Sequence, residues 1–196
     1  MPVYKLRIEE LDQKFVKELK AKFGDAKIEI RVFPSESQKP PLSENDFWHI
    51  ISLLAWEKEG NDEAVLEPAI NFLSHQSVDA IFQFHDILAK KLYALDKKVY
   101  AEHLGEDAYR PGQPFSPDYF LYARACVVAN GKEYYDEVLH DPSQMPAGYT
   151  FESLLSLAKK AYFRKTNKTF DYLPVVSYET FSNPDGWEET LMEKIL

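Results

Sequence analysis

The spacing of apolar residues separates a short first segment from a longer helical one. Residues 27–33, KIEIRVF, carry apolar side chains at every second position, which predicts a half-buried strand. Residues 3–8 alternate less regularly and predict another strand. Between these strands, leucine and phenylalanine recur every four residues up to Phe23, as on one face of a helix that ends at Gly24. Residues 1–33 are therefore predicted to form a small β-α-β appendage.

The appendage is followed by a stretch that is typical of a linker. Residues 34–42, PSESQKPPL, contain three prolines and no bulky apolar residue before Leu42. This composition favours a stiff, solvated spacer. We place the domain boundary here, so the main domain is predicted to span residues 43–196.

In the main domain, apolar residues recur at intervals of three and four, which predicts helices. Pro68 predicts that its helix begins near Glu67 or bends there. Residues 170–187 lack a helical period and are predicted to wrap over the bundle. The predicted fold class is therefore mainly α, a helical bundle-like domain preceded by the β-α-β appendage. The residues expected to cap helices are Ser43 or Asn45, Ser77 and Thr150, and the predicted helices cover about residues 43–54, 62–74, 78–95, 118–129, 132–139, 151–165 and 187–195.

Charge is distributed unevenly along the chain. The 196 residues include 23 Lys/Arg and 32 Asp/Glu, which gives a net charge of −9. Residues 1–42 hold nine basic and seven acidic residues, which leaves 14 basic and 25 acidic residues in the rest. An acidic main domain argues against nucleic acid binding, because phosphates bind to concentrated positive charge. It favours a basic protein as partner.

Cysteine content and hydropathy predict the compartment. Cys126 is the one cysteine, so an intramolecular disulfide cannot form, and its apolar neighbours predict a buried thiol. The chain lacks an apolar signal core near its start and any run of about 18 apolar residues that could cross a membrane. We therefore expect a cytoplasmic protein without a membrane partner, and no motif points to a cofactor.

Adjacent histidine and aspartate give the sequence one candidate for metal chemistry. His85 and Asp86 stand side by side on a predicted helix, and His49 lies upstream. Metal-dependent phosphohydrolases of the HD type use such a pair, because neighbouring His and Asp ligands can share one metal ion. A solvated helix face explains the same dipeptide, so the hydrolase is the alternative function and not the leading one.

Aromatic residues supply the candidate binding positions. Most of them fall at core spacing on the predicted helices. Tyr109 and Phe115 lie in a proline-rich loop and are predicted to be surface anchors. Trp48, Trp56 and Tyr122 would line a pocket if the protein were a regulator that binds a small ligand, which is a further alternative.

Four stretches of the main domain resemble a bacterial family known as domain of unknown function 4240. They lie within about residues 45–187. The family has no activity or catalytic residues to carry over, so the resemblance implies little about function. The stretches are DFW at 46–48, AKKLYALD at 89–96, YARACVVANGKEYYDEVLHDPSQMP at 122–146 and FDYLPVVSYETFSN at 170–183.

The first segment resembles the short strand–helix–strand leaders of small bacterial antitoxin-like proteins. The stretch that carries this likeness is YKLRIEELDQKFVKELKAKFGDAKIEIRV. It implies pairing with a second copy or a partner, so we expect a homodimer formed through residues 3–33. Together these features predict a bacterial, cytoplasmic, non-enzymatic protein-interaction module, of which an antitoxin or an immunity factor would be an example.

Overall fold

A computed structural model describes residues 13–24 and 41–187 of the chain. The chain divides into two compact units, Met1–Ser37 and Gln38–Leu196. In the first unit, helix α1 spans Gln13–Phe23 and is the predicted helix of the appendage. The described residues contain no strand, so the predicted β-α-β appendage is not supported beyond this helix. The predicted strands at 3–8 and 27–33, most of the predicted linker and all but the first residue of the predicted helix at 187–195 lie outside the described residues.

The second unit is helical, as the apolar spacing predicts. None of the helices in the two described ranges is long and apolar enough to cross a membrane. Short 3-10 turns connect several helices, and one of them, Glu152–Ser156, leads directly into the last helix. The helices are α2 (Glu44–Ile51), α3 (Asp62–Ser74), α4 (Val78–Ala94), α5 (Lys98–Ala101), α6 (Pro117–Ala129), α7 (Lys132–His140) and α8 (Leu157–Thr166).

Side-chain caps fix where these helices begin. Ser43 accepts a hydrogen bond from the backbone N–H of Asp46, and Asp46 accepts one from Ser43 in return, which completes a capping box. Ser77 caps α4 in the same way by accepting from the N–H of Ala80. The predicted caps Ser43 and Ser77 are confirmed, whereas the predicted cap Thr150 precedes a 3-10 turn and does not cap α8. Each such cap contributes about 1 kcal/mol to helix stability.

The structure confirms the start of one predicted helix at about residue 62 and corrects the start of another. Helix α3 begins at Asp62, capped by Asn61, and continues through Pro68. The packing of its buried face outweighs the lost hydrogen bond of the proline, which the sequence pattern does not reveal. The last helix begins at Leu157 instead of 151, because residues 152–156 form a 3-10 turn first.

The core of the second unit lies between α2, α3, α4, α6 and α8. Helix α3 packs along α8, and α4 packs against both α6 and α8. Phe47 and Phe84 meet at its centre, with ring centroids 5.0 Å apart. Helix α6 is buried almost all round, which explains why its apolar residues show little amphipathic spacing.

Residues 170–187, which we call the clasp, cross the helices in an extended, non-helical course that ends in a 3-10 turn. From Phe170 to Thr180 every second residue is partly buried and the residues between them are exposed. This alternation is expected of an extended chain with one face on a core. The predicted wrapping of this segment over the bundle is confirmed.

Asp96, just after α4, is fully buried and holds the end of the clasp. Its Oδ1 accepts hydrogen bonds from the backbone N–H of Phe181 at 3.1 Å and from Trp187 Nε1 at 2.9 Å. Its Oδ2 accepts from the backbone N–H of Asn183 at 3.0 Å. Gly186 passes so close that a β-carbon there would lie 2.8 Å from the backbone oxygen of Asp96. The carboxylate therefore binds three buried donors from one short segment.

Arg124, also fully buried, anchors the middle of the clasp. Its guanidinium donates to the carbonyl of Leu92 at 2.8 Å and to Thr180 Oγ1 at 2.9 Å. Burial lowers its pKa to about 10, while the nearby Asp96 carboxylate acts in the opposite direction. The two buried charges therefore stabilise each other and tie the clasp to α4 and α6.

Replacing Asp96 with asparagine should destabilise the second unit by about 3 kcal/mol, because an amide NH₂ would face buried donors. Urea unfolding followed by tryptophan fluorescence measures the loss. Asp185→Asn, at an exposed position of the same clasp, is the matched control and should stay within about 0.5 kcal/mol. Equal stability of the two variants would contradict the role of Asp96.

Candidate functional site

The candidate metal ligands His85 and Asp86 make contacts within the folded domain. Asp86 Oδ2 accepts a hydrogen bond from the hydroxyl of Tyr172 at 2.8 Å, and its Oδ1 accepts from the backbone N–H of Val175 at 2.9 Å. Both oxygens therefore bind the clasp. Burial and this carboxylate raise the pKa of Tyr172, so the tyrosine remains a donor.

His85 points into an aromatic cluster and is only 2% exposed. Its ring meets those of Phe170 and Tyr178 edge-on, with centroids 5.2 Å and 5.9 Å away. Its Nδ1 is buried without a hydrogen-bond partner. Burial lowers the pKa of His85 to about 4, against an opposing effect of Asp86, so the ring is neutral near pH 7.

His49 lies apart from this pair on an exposed face of α2. Its ring packs on Phe72 of α3, with centroids 5.4 Å apart. Within residues 13–24 and 41–187, no three His, Cys, Asp or Glu side chains are placed to hold a metal ion together. The structure therefore does not bring His49, His85 and Asp86 into one ligand set.

Trp48 is placed in the core and not at a surface. It is 7% exposed, and its ring lies 4.9 Å from that of Phe47 and 5.3 Å from that of Tyr135. Lys91 lies over the same ring, 5.5 Å from its centroid, and forms an ion pair with Glu44. This ion pair lowers the pKa of Glu44 through a hydrogen bond. Trp48 therefore stabilises the contact between α2, α4 and α7.

Tyr109 and Phe115, the predicted loop anchors, both turn inward. Their rings pack edge-on against each other, with centroids 5.3 Å apart. Each also lies against the fully buried Trp187, at 5.5 Å and 6.4 Å. The loop that carries them therefore covers the end of the clasp, and both side chains are partly buried.

Trp56 and Tyr122, in contrast, both lie close to a third aromatic residue, the buried Phe151. Trp56, 38% exposed, packs on Phe151 with ring centroids 5.0 Å apart. The backbone N–H of Phe151 donates to the carbonyl of Tyr122 at 3.0 Å. Two residues before Phe151, Tyr149 is 68% exposed. We call these four aromatic residues and the acidic residues beside them the acidic aromatic face.

Acidic side chains surround these rings. Glu57 and Glu59 follow Trp56 and are exposed. Partial burial, followed by the negative charges of Glu152 and Asp118, raises the pKa of the Tyr122 hydroxyl. One cation, Lys58, is exposed between Glu57 and Glu59; after the larger effect of Arg164, its charge also helps to lower the pKa of Glu67. The face therefore presents exposed aromatic surface within a negative field.

Local backbone structure keeps this face rigid. The turn Trp56–Lys58 packs on α3, and residues 152–156 pack on α3 and α6. Ser153 Oγ donates to Asp62 Oδ2 at 2.6 Å and so joins the latter turn to the start of α3. Preorganised aromatic side chains lose little entropy on binding, which suits them to recognition.

Cys126 is not placed for nucleophilic chemistry. Its side chain is buried on α6, and Asn130 Nδ2 lies 3.5 Å from its sulfur. Burial raises the pKa of its thiol, although the hydrogen bond from Asn130 opposes this effect. Raised thiol pKa values disfavour the reactive thiolate.

These features define a helical domain closed by an extended clasp, with an acidic aromatic face at one surface. The family model described as "Protein of unknown function (DUF4240)" matches residues 42–164, more than half of the chain, and the chain belongs to this family. The match confirms the predicted resemblance and ends before the clasp. No curated protein and no solved structure matches the chain.

Sequence patterns identified only part of the candidate face. Trp56 and Tyr122 were expected as binding residues, whereas Tyr149 and Phe151 lie at the end of a glycine-containing stretch predicted to be loop and early helix. An aromatic residue on each side of Thr150 is a weak signal, because such residues are more often part of a core.

The buried His85 should make stability depend on pH. Its pKa is about 4 in the folded protein and about 6.5 when unfolded, so the unfolded state takes up the proton first as the pH falls. Wild-type protein should therefore lose about 3 kcal/mol from this group between pH 6.5 and pH 4.

His85→Phe keeps a ring of similar size in the cluster and should lack this contribution. Urea unfolding of both proteins across this pH range gives the difference in their unfolding free energies. As the pH falls, the free energy of unfolding should decrease more for the wild type than for His85→Phe. A difference that stays constant with pH would show that His85 is not buried in its neutral form.

Proposed function

We propose that this protein is a non-enzymatic protein-interaction module whose acidic aromatic face binds a basic partner protein. The observation that carries the proposal is the packing of Trp56 on Phe151 beside exposed Tyr149, among carboxylates. Tryptophan and tyrosine side chains on rigid elements are frequent anchors of protein interfaces. The surrounding negative charge would accelerate encounter with a basic protein and reject acidic ones.

The contacts that His85 and Asp86 make with the clasp favour this function over that of a metal-dependent phosphohydrolase. Both oxygens of Asp86 accept hydrogen bonds from the clasp, and His85 is enclosed by its aromatic residues. A hydrolase would require the clasp to leave this position and His49 to join the pair. The alternative ligand-binding regulator needs Trp48 beside Trp56 and Tyr122, whereas Trp48 packs on Phe47 and Tyr135.

The first unit would mediate dimerisation with a second copy of the chain. We propose that residues 3–33 form a β-α-β element that dimerises, as the antitoxin-like leader resemblance implies. In α1, basic residues occupy the last turn, where they favour the helix dipole, and Val16 is exposed. An antitoxin or immunity factor of the bacterial cytoplasm, dimeric and with an acidic face for a basic target, would combine both units.

A photo-crosslinking amino acid at Tyr149 in cells would identify the partner of the acidic aromatic face. The captured protein is then purified, and its affinity is measured by calorimetry. Trp56→Ala should weaken binding by about 2 kcal/mol through loss of the anchor. The double variant Glu57→Lys, Glu59→Lys should weaken it about tenfold, with a smaller loss at high salt.

The double variant Glu133→Lys, Glu137→Lys on α7 makes the same change of charge at exposed positions and is the matched control. It should bind the partner with nearly wild-type affinity. If the control weakens binding as much as the variants in the face, net charge and not this surface governs association. If the captured partner is acidic, the proposed complementarity is wrong.

Deletion of residues 1–36 tests the dimer separately. Light scattering should show a dimer for the full chain and a monomer for the deletion variant, while its circular dichroism retains the helices of the second unit. A dimer that persists unchanged after the deletion would contradict pairing through residues 3–33.

A further inference from the structure

The structure contains a second surface feature with the opposite charge, an open groove of about 730 Å³ between α3 and α8. Its apolar part is formed by Ile70, Phe163 and Phe170. Phe163 is 58% exposed although it is a large aromatic residue in the middle of a helix. An exposed phenylalanine beside buried apolar surface is available to contact a partner.

Ion pairs between α3 and α8 neutralise the acidic residues of this groove. Arg164 donates to both carboxylate oxygens of Glu67, at 2.7 Å and 2.8 Å. Lys160 Nζ lies 3.1 Å from Glu63 Oε1. The hydrogen bonds from Arg164 lower the pKa of Glu67, so this pair remains charged at neutral pH. These pairs engage two of the cations of α8.

Lys159 and Lys168 also line the groove, and both are exposed. Neither forms an ion pair with any residue that the structure describes. Residues 159–168 contain five of the 14 basic residues that follow residue 42. The groove therefore has an excess of positive charge on a chain whose net charge is −9.

We propose that this groove binds an acidic peptide segment of a partner protein. Carboxylates of the segment would pair with Lys159 and Lys168, and an apolar side chain between them would pack on the exposed ring of Phe163. An open groove buries little of a small molecule but can hold an extended or helical segment along its length. The positive charge of the groove would repel basic segments, which would bind to the acidic aromatic face instead.

This site acts independently of the proposed function, because the two surfaces use different residues and attract opposite charges. A protein with both surfaces could hold a basic and an acidic protein at once. Reversal of charge in the groove should therefore leave binding at the acidic aromatic face unchanged. The two proposals can fail separately.

Fluorescence polarisation with a synthetic peptide tests the groove on the full-length protein. The probe is a labelled peptide of Glu and Asp residues with a central Leu-Phe pair, and the comparison peptide replaces that pair with Ser-Ser. Wild-type protein should bind the first peptide, and the second about tenfold more weakly. The double variant Lys159→Glu, Lys168→Glu and the variant Phe163→Ala should each reduce the affinity about tenfold.

The single variant Lys90→Glu, at an exposed position of α4 away from the groove lining, controls for net charge and should bind nearly as wild type. Thermal unfolding confirms that each variant is folded, which the exposure of these positions favours. The single variants Lys159→Glu and Lys168→Glu are measured beside this control. The proposal is overturned if wild-type protein does not bind the acidic peptide, if the Ser-Ser peptide binds equally well, or if Lys90→Glu weakens binding as much as either single variant.

Discussion

The hydrogen bonds accepted by the buried carboxylate of Asp96 are the constraint on which the arrangement of this domain depends. A charged group without water is costly unless donors surround it, and here the backbone of Phe181 and Asn183 and the indole of Trp187 do so. All three donors come from the clasp. The charge therefore specifies where the chain returns after α8, and the neighbouring Arg124 fixes the same segment through Thr180.

The position of the clasp determines which side chains of the domain a ligand or partner can reach. Its inward residues cover His85, and Tyr172 and the backbone of Val175 donate hydrogen bonds to the Asp86 oxygens that could otherwise bind water or a metal ion. The residues with functional potential are then those that the clasp does not cover, namely the acidic aromatic face around Phe151 and the basic groove beside Phe163. These two oppositely charged surfaces are the ones on which the proposed binding functions rest.

Local patterns in the sequence were sufficient to predict most of the helices. Ser43 and Ser77 are caps in the structure because a short polar side chain precedes an apolar face in each case. The pattern predicted α3 from about residue 62, but it left open whether the helix continues through Pro68, since a proline inside a helix is tolerated only through tertiary packing. The clasp was predicted from its lack of helical period, but its anchor was not, because a lone aspartate at a helix end usually meets water.

The candidate sites were harder to predict for the same physical reason. Trp48, Tyr109 and Phe115 are of residue types that are common at binding surfaces. In the structure, all three pack in or against the core. Trp56 and Tyr122 are residues of the same kind, and they keep exposed or partly exposed side chains near the buried Phe151. The difference is set by contacts between residues distant along the chain, such as Phe151 with Tyr122 and Ser153 with Asp62. Charge asymmetry was visible in the sequence, whereas the excess of lysine in the groove depends on which carboxylates the helices bring together.

Hydrogen exchange of the free protein, measured residue by residue by NMR, tests the central claim most directly. The account predicts that the amides of Val175, Phe181 and Asn183 exchange as slowly as those in the centres of α4 and α6, because all three bind buried or partly buried carboxylates of the folded domain. Rapid exchange at these amides in a protein whose helices are protected would contradict it. The clasp would then not be part of the stable fold, and His85 and Asp86 would be open to solvent.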